Sequence, residues 1–410
     1  MLTIEPALRK RPAGGRKVAV ALAGGGPLGA FYELGALHAL NEAIEGLELT
    51  QLDVYVGVSS GSLIAAGLAN GFDTTWMGET FIHDESTLFP FTPAMLLRPA
   101  LAEYTHRIGQ LPKALATVLY QYARDPLRSA WPAGVGPLGR VVPTAVFDNE
   151  PMERFLRELL ASAGHTNDFR KLRRHLYVVA TNLNTGESVR FGERGRDDVP
   201  ISRAVVASTA LPGLYPAVEI DGQFYVDGAL IRTMNASLAL EEGCSLVICI
   251  NPLVPFDASK ARPGGRTNVA DAGLPAVLSQ TFRSLIHSRM KVGMASYRSR
   301  YPAADLLLLE PDRHDDKFFF SNVFRYADRR RLVDHAYRVT RRDLLRQSDA
   351  LSGVLRRHGM RLRMEVLRNR TRTFSSAAAE RLNRSRHVTQ RLGHALGRLE
   401  RALGRRQAPV

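Results

Sequence analysis

Twice within residues 17–71 an apolar run breaks at a glycine-rich turn and continues as a helical pattern. This repeated unit limits the possible folds more than any other feature of the chain. The first run is KVAVALA at 17–23, followed by GGGPLGAFYELGALHAL, in which Leu28, Phe31, Leu34 and Leu37 recur at helical spacing. The second is LDVYVGV at 52–58, followed by the small-residue segment SGSLIAAGLANG. Short continuous apolar runs suit strands buried on both faces, as in parallel sheets covered by helices. Strand, turn and helix repeated in this way predict an α/β fold, doubly wound, with a mainly parallel sheet flanked by helices. Further strands are expected at 175–181, 188–191, 223–226 and 245–250, with helices at 150–161 and 202–208.

Composition divides the rest of the chain. Residues 1–16 read as a flexible basic lead, and residues 17–324 as the main folded body. Within the body, residues 72–145 are rich in aromatics and proline and read as a partly helical insertion, either a lid over an apolar pocket or a structural layer. From residue 325 onward the chain carries 23 Arg and seven acids, so the overall charge of +15 belongs to a helical C-terminal extension and the first 324 residues sum to −1. A uniformly basic nucleic-acid coat is therefore excluded. Residues 377–404 read as a helix with Val388, Leu392, Leu396, Leu399 and Leu403 on one stripe and arginines elsewhere. That pattern suits an anionic membrane surface, with a self-associating helix as the alternative. Phe374 is the last aromatic after Tyr337, which disfavours stacking on single-stranded nucleic acid.

The two cysteines, Cys244 and Cys249, are five residues apart in one apolar run. At about 3.3 Å per residue along a strand they are too far apart to pair. A disulfide framework and a cysteine metal site are both excluded, and a reducing compartment follows. No signal-peptide pattern and no run of about 20 apolar residues is present. The expectation is a cytoplasmic protein, at most peripheral at the inner membrane surface.

Three motifs could carry chemistry. Gly57-Val58-Ser59-Ser60-Gly61 is a G-x-S-x-G sequence, weak alone but strengthened by an entering strand and a departing helix, the setting of a nucleophile elbow. Gly57 and Gly61 would relieve crowding around an exposed Ser59 on a sharp turn; the alternative is a strand–helix turn without chemistry. Gly24-Gly25-Gly26-Pro27-Leu28-Gly29 fits G-x-G-x-x-G in letters. The acid that a dinucleotide site needs at the end of the next strand is missing, and so is the Gly-Lys-Ser/Thr of a phosphate loop. An oxyanion hole and a plain tight turn remain. Asp227-Gly228-Ala229 follows the strand QFYV, placing a carboxylate on the rim where α/β sites form, or in an ordinary Asp-Gly turn.

In this order the three motifs resemble the patatin-like phospholipases, serine lipid acyl hydrolases that use a Ser–Asp dyad. The segments HLYVVATNLNTGE and AVVASTALPGLYPAVEIDGQFYVDGAL are similar to that family's supporting strands, and the resemblance covers roughly residues 17–255. It implies Ser59 as nucleophile and Asp227 as general base. It further implies an oxyanion hole formed by Gly24, Gly25, Gly26 and Gly29 with Ser60, and a dyad turn at Gly228 and Ala229. A lipid or phospholipid substrate follows, with no cofactor and no metal. Many family members have a basic residue where this chain has Pro27 and Leu28, which bears on rate and head-group preference. His287 and His314 follow Asp227 in the order a triad would need, but neither sits in a strand–Gly–His rim turn. His287 reads as a surface or satisfied histidine on a helix, and His314 as solvated or loop-capping. The same site could transfer the acyl group to an acceptor other than water, or be vestigial in a membrane-binding scaffold.

Overall fold

The two apolar runs become neighbouring central strands of a nine-stranded sheet in the computed structural model, which describes residues 1–9, 16–83, 89–113, 115–117, 141–260, 268–319 and 328–381. The strands are β1 (Leu2–Glu5), β2 (Val18–Leu22), β3 (Val54–Val58), β4 (His175–Asn182), β5 (Ser188–Phe191), β6 (Val218–Ile220), β7 (Gln223–Asp227), β8 (Leu246–Ile250) and β9 (Asp305–Leu309). Their order is β1-β9-β8-β2-β3-β4-β7-β6, with β5 also paired to β4. The run β9-β8-β2-β3-β4 is parallel, and the flanking pairs are antiparallel.

Alternation along β2 shows why both faces are covered. Val18, Val20 and Leu22 enter one apolar cluster, and Ala19, Ala21 and Ala23 enter the other. The first cluster is built with α1 (Gly26–Ala43), α2 (Ser60–Ala69), α3 (Glu150–Leu160) and α4 (Ile201–Thr209). The second is built with α5 (Ala236–Glu241) and α6 (Leu274–Arg300), through Leu238, Leu240, Met290 and Met294. Both cysteines are buried and free.

Two expected boundaries need correction. The lead is not wholly flexible: β1 pairs antiparallel with β9, from Leu2 opposite Leu309 to Glu5 opposite Leu306. The alternating LTIE sequence lets Leu2 and Ile4 reach the core while the strand covers a sheet edge. Nor does the folded body end at residue 324. Helix α7 (Arg329–Arg346) lies against α1, and α8 (Ser348–Arg357) follows it. Leu332, Val333, Ala336, Tyr337 and Leu344 belong to the same core cluster as α1. The helices meet closely at Gly35, where an added Cβ would stand 2.5 Å from the Val333 carbonyl oxygen.

The arginine count was misleading because several of these arginines are structural. Arg341 is buried and donates to the Asn369 carbonyl at 2.8 Å, Arg372 pairs with Glu42, and Arg357 pairs with Asp305. The leucine stripe at 388–403 lies outside the described residues.

Enclosed between the sheet and α7, α1 is buried on nearly every face, including Glu33, which is fully buried with both carboxylate oxygens unpartnered. Burial pushes its carboxyl well above the usual range. A raised folded-state value means that stability is present below the ordinary carboxylate range and is lost as pH rises through the folded one. Glu33→Met is therefore expected to raise stability at pH 7 by roughly 1–3 kcal/mol. It should also flatten the fall of Tm with rising pH; an unchanged slope in thermal unfolding would refute the assignment.

Candidate active site

Register brings the site together. β3 pairs with β4 in parallel up to Val58 opposite Val179, and β7 pairs with β4 in antiparallel down to Asp227 opposite Ala180. β5 occupies the other edge of β4 over residues 178–181, so β3 and β7 share one edge and run toward each other. Their C-terminal ends meet there. Ser59 follows one end and Asp227 closes the other, and the Ser59 Oγ donates to Asp227 Oδ2 at 2.5 Å.

Ser59 stands at φ 51°, ψ −128°, immediately before α2. A non-glycine residue in this left-handed region is strained and persists only where its surroundings hold it. The holding contacts are specific. The Ser59 N–H donates to Ser208 Oγ at 2.8 Å, and the Ser208 hydroxyl donates to the Val179 carbonyl at 2.6 Å. The Ser59 carbonyl accepts from Ser62 Oγ at 2.6 Å and from the Ser62 N–H at 2.9 Å. The motif glycines are there for space: a Cβ at Gly57 would be 2.4 Å from Ser62 Cα, and one at Gly61 would be 2.6 Å from the Leu22 carbonyl oxygen.

Asp227 is buried, and its Oδ1 accepts from the Ala229 N–H at 2.8 Å. Burial lifts its carboxyl to about 6, against the lowering effect of the Ser59 and Ala229 hydrogen bonds. Gly228 packs its backbone on β4, where a Cβ would meet the Val179 oxygen at 2.2 Å.

The glycine loop lies over the serine. A Cβ at Gly24 would stand 2.8 Å from Ser59 Cβ and 3.0 Å from Ala229 Cβ. Gly25 and Gly29 both face the Pro252 ring, at 2.6 and 3.0 Å by the same measure, and Gly29 also faces Ser60 Oγ at 3.1 Å. Gly26 and Ser60 are the first residues of α1 and α2. N–H groups in a helix's first turn have no intrahelical acceptor and carry a partial positive charge.

An apolar cavity of about 160 Å³ ends on this pair and includes Ser59, Ser60, Gly26 and Asp227 among its walls. Leu63, Ile64 and Val205 line it from α2 and α4, and Phe81, Phe91, Met95, Leu96 and Leu97 line it from the insertion. Tyr215 braces the insertion by donating its hydroxyl to the Leu96 carbonyl at 2.8 Å. Sequence reasoning did not single out Ser208, Pro252 or Tyr215. Ser208 stood in the small-residue helix VVAST, Pro252 two residues after the end of an apolar strand and Tyr215 in a loop, with nothing to mark their distant partners.

Neither histidine bonds to Ser59 or Asp227. His287 is buried rather than at the surface, 3.5 Å from Glu310, and burial lowers it to about 4, so it is neutral. His314 Nδ1 lies 3.1 Å from the Asp257 carbonyl, and its N–H donates to Asp312 Oδ1 at 3.0 Å, which is a loop-capping arrangement. Among the described residues no cluster of three or more His, Cys, Asp or Glu is suited to a metal ion. Also among the described residues, no helix is long and apolar enough to cross a membrane.

A mostly parallel α/β sheet with a buried serine–carboxylate pair at its strand ends, opening on an apolar cavity, defines the class of protein. The model of the patatin-like phospholipase family matches residues 20–240, over half of the chain, and the protein belongs to that family. It is thus, at the family level, a lipid-hydrolysing enzyme. Among solved structures it is similar to VipD from Legionella pneumophila at 16% identity, covering 82% of this chain and 70% of VipD, with a TM-score of 0.36. It is also similar to ExoU, in the complex with SpcU from the type III secretion system of Pseudomonas aeruginosa, at 16% identity and a TM-score of 0.28. That match covers 73% of this chain and 54% of ExoU, so the chain spans about half of that protein's length.

Proposed function

We propose that the chain hydrolyses carboxylic ester bonds of lipids by a Ser59–Asp227 dyad and an acyl-enzyme. The observation carrying this reading is the 2.5 Å hydrogen bond from Ser59 Oγ to Asp227 Oδ2 at the buried end of an apolar cavity. Ser59 Oγ attacks the ester carbonyl as its proton passes to Asp227, and the protonated Asp227 gives that proton to the leaving alcohol. Water then attacks the acyl-Ser59, its proton returns to Asp227, and the carboxylic acid departs with the serine proton restored. A carboxyl near 6 is a better base than one near 4 and is still largely ionised at pH 7. The Ser60 N–H and the N–H groups of the Gly24–Gly26 turn are the donors proposed for the tetrahedral oxyanion.

Covalent labelling tests the nucleophile: a fluorophosphonate probe should modify Ser59, read by peptide mass spectrometry, and modification elsewhere with Ser59 free would refute it. The narrow apolar walls select for an acyl chain. Leu63→Trp is expected to lower kcat/KM for a long-chain p-nitrophenyl ester roughly 10–200-fold while leaving the acetate ester within a few-fold, since pocket-filling methylenes are each worth factors of that order. Equal losses on both esters would count against the cavity as the acyl site.

A further inference from the structure

On the sheet face away from the acyl cavity is a second, polar cavity of about 530 Å³. That volume falls within the range of small-molecule sites. Three separate elements each bring arginine to it: Arg190 from β5, Arg232 from the loop after Asp227, and Arg289 and Arg300 from α6. Arg190 is matched by Glu241 at 3.7 Å and Glu193 at 4.0 Å. Among the described residues no carboxylate lies within ion-pair distance of Arg232, Arg289 or Arg300.

Asn235 supplies a second, independent observation. It lines the same cavity, is 4% exposed, and its Nδ2 is buried without a hydrogen-bond partner. It stands in the left-handed region at φ 49°, ψ 35°, and its Oδ1 is 3.5 Å from Arg232 Nη1. Buried polar groups are normally partnered, so the unmatched Asn235 donor marks a place for an acceptor-rich ligand beside the exposed guanidinium groups of Arg232, Arg300 and Arg289, the last of which also donates to the Leu230 carbonyl at 2.9 Å. A carboxylate is satisfied by one bidentate arginine. Guanidinium groups arriving from two elements, with an amide donor among the lining of the same cavity, suit the several oxygens of a tetrahedral anion.

We infer that this cavity binds a phosphate group, through Arg232, Arg289, Arg300 and Asn235. The group is that of a soluble phosphate compound or of a lipid head group, and the inference does not depend on the dyad.

Isothermal titration of the full chain with inorganic phosphate is one arm of the test. Sedimentation with phosphatidylcholine vesicles, with and without phosphatidate, is the other. Arg232→Gln/Arg300→Gln removes two cations, neither of which, among the described residues, bonds to backbone through its side chain. Asn235→Gly removes Nδ2 while tolerating the left-handed backbone. Arg361→Gln, an exposed arginine outside the cavity paired with Glu45, controls for net charge. Phosphate binding at least tenfold weaker in the first two variants and unchanged in the third supports the site. Phosphatidate-dependent sedimentation lost in the same two variants supports it with a lipid as the source, and phosphate binding without such sedimentation supports it with a soluble source. The inference is overturned if no probe binds in a manner that depends on Arg232, Arg300 and Asn235, or if all variants bind like wild type.

Discussion

Ser59→Ala is expected to lower kcat for an acyl ester by about 10⁴–10⁶-fold, and Asp227→Asn by about 10⁴-fold. The two losses should not add, because the residues act as one unit. Ala removes the attacking oxygen. Asn is nearly the same shape as Asp and can still bond to the serine, but it cannot accept the proton. The pH profile separates the base from a merely structural role. Burial raises the Asp227 carboxyl to about 6, so the group is protonated and idle below that pH and ionised above it. Activity should therefore rise with pH, with a midpoint near 6, and the residual activity of the Asn variant should lack that limb. Steady-state hydrolysis of a p-nitrophenyl ester across pH 4.5–8.5 is the measurement. Retained turnover in either variant, or a wild-type profile flat through 6, would sink the dyad.

The second large effect is on folding. Tyr337→Ala is expected to cost about 3–5 kcal/mol, as for other large buried aromatics. The side chain is fully buried between α7 and α1, its ring lies edge-on to Phe374, and its hydroxyl bonds to Glu42. Tyr337→Phe keeps the ring and loses only the hydrogen bond, and should cost about 1 kcal/mol. Denaturant unfolding of the two variants measures the difference. A chain truncated before α7 exposes the outer face of α1 and should fail to yield a cooperative transition. If that truncated chain folded cooperatively, α7 would be an appendage after all.

That second result matters because sequence reading placed α7 outside the body. Arg-rich composition marks a segment as surface or tail only when its apolar positions face nothing. Here Leu332, Val333, Ala336, Tyr337 and Leu344 recur at helical spacing through the arginines, and that stripe was the signal to follow. It was not decisive in the sequence, because nothing local says that α1 leaves a face uncovered. The strand DLLLL at 305–309 was missed for a related reason: a short apolar run is ambiguous until its neighbours are known. The chemistry-bearing types were more legible. A serine between glycines at a strand–helix turn, a glycine run at another, and an Asp-Gly after a strand each follow from a local backbone need.

Local sequence determined the strand–turn–helix units, their apolar and small faces, and the residue types at the turns, because strand burial, helical periodicity and glycine's missing Cβ act over a few residues. Only the tertiary structure decided that β3 and β7 share one edge of β4 and stop head to head. Pairing register is a contact between segments distant in sequence, Val54 with His175 and Ala180 with Asp227, and it alone converts a serine at 59 and an aspartate at 227 into a buried pair 2.5 Å apart.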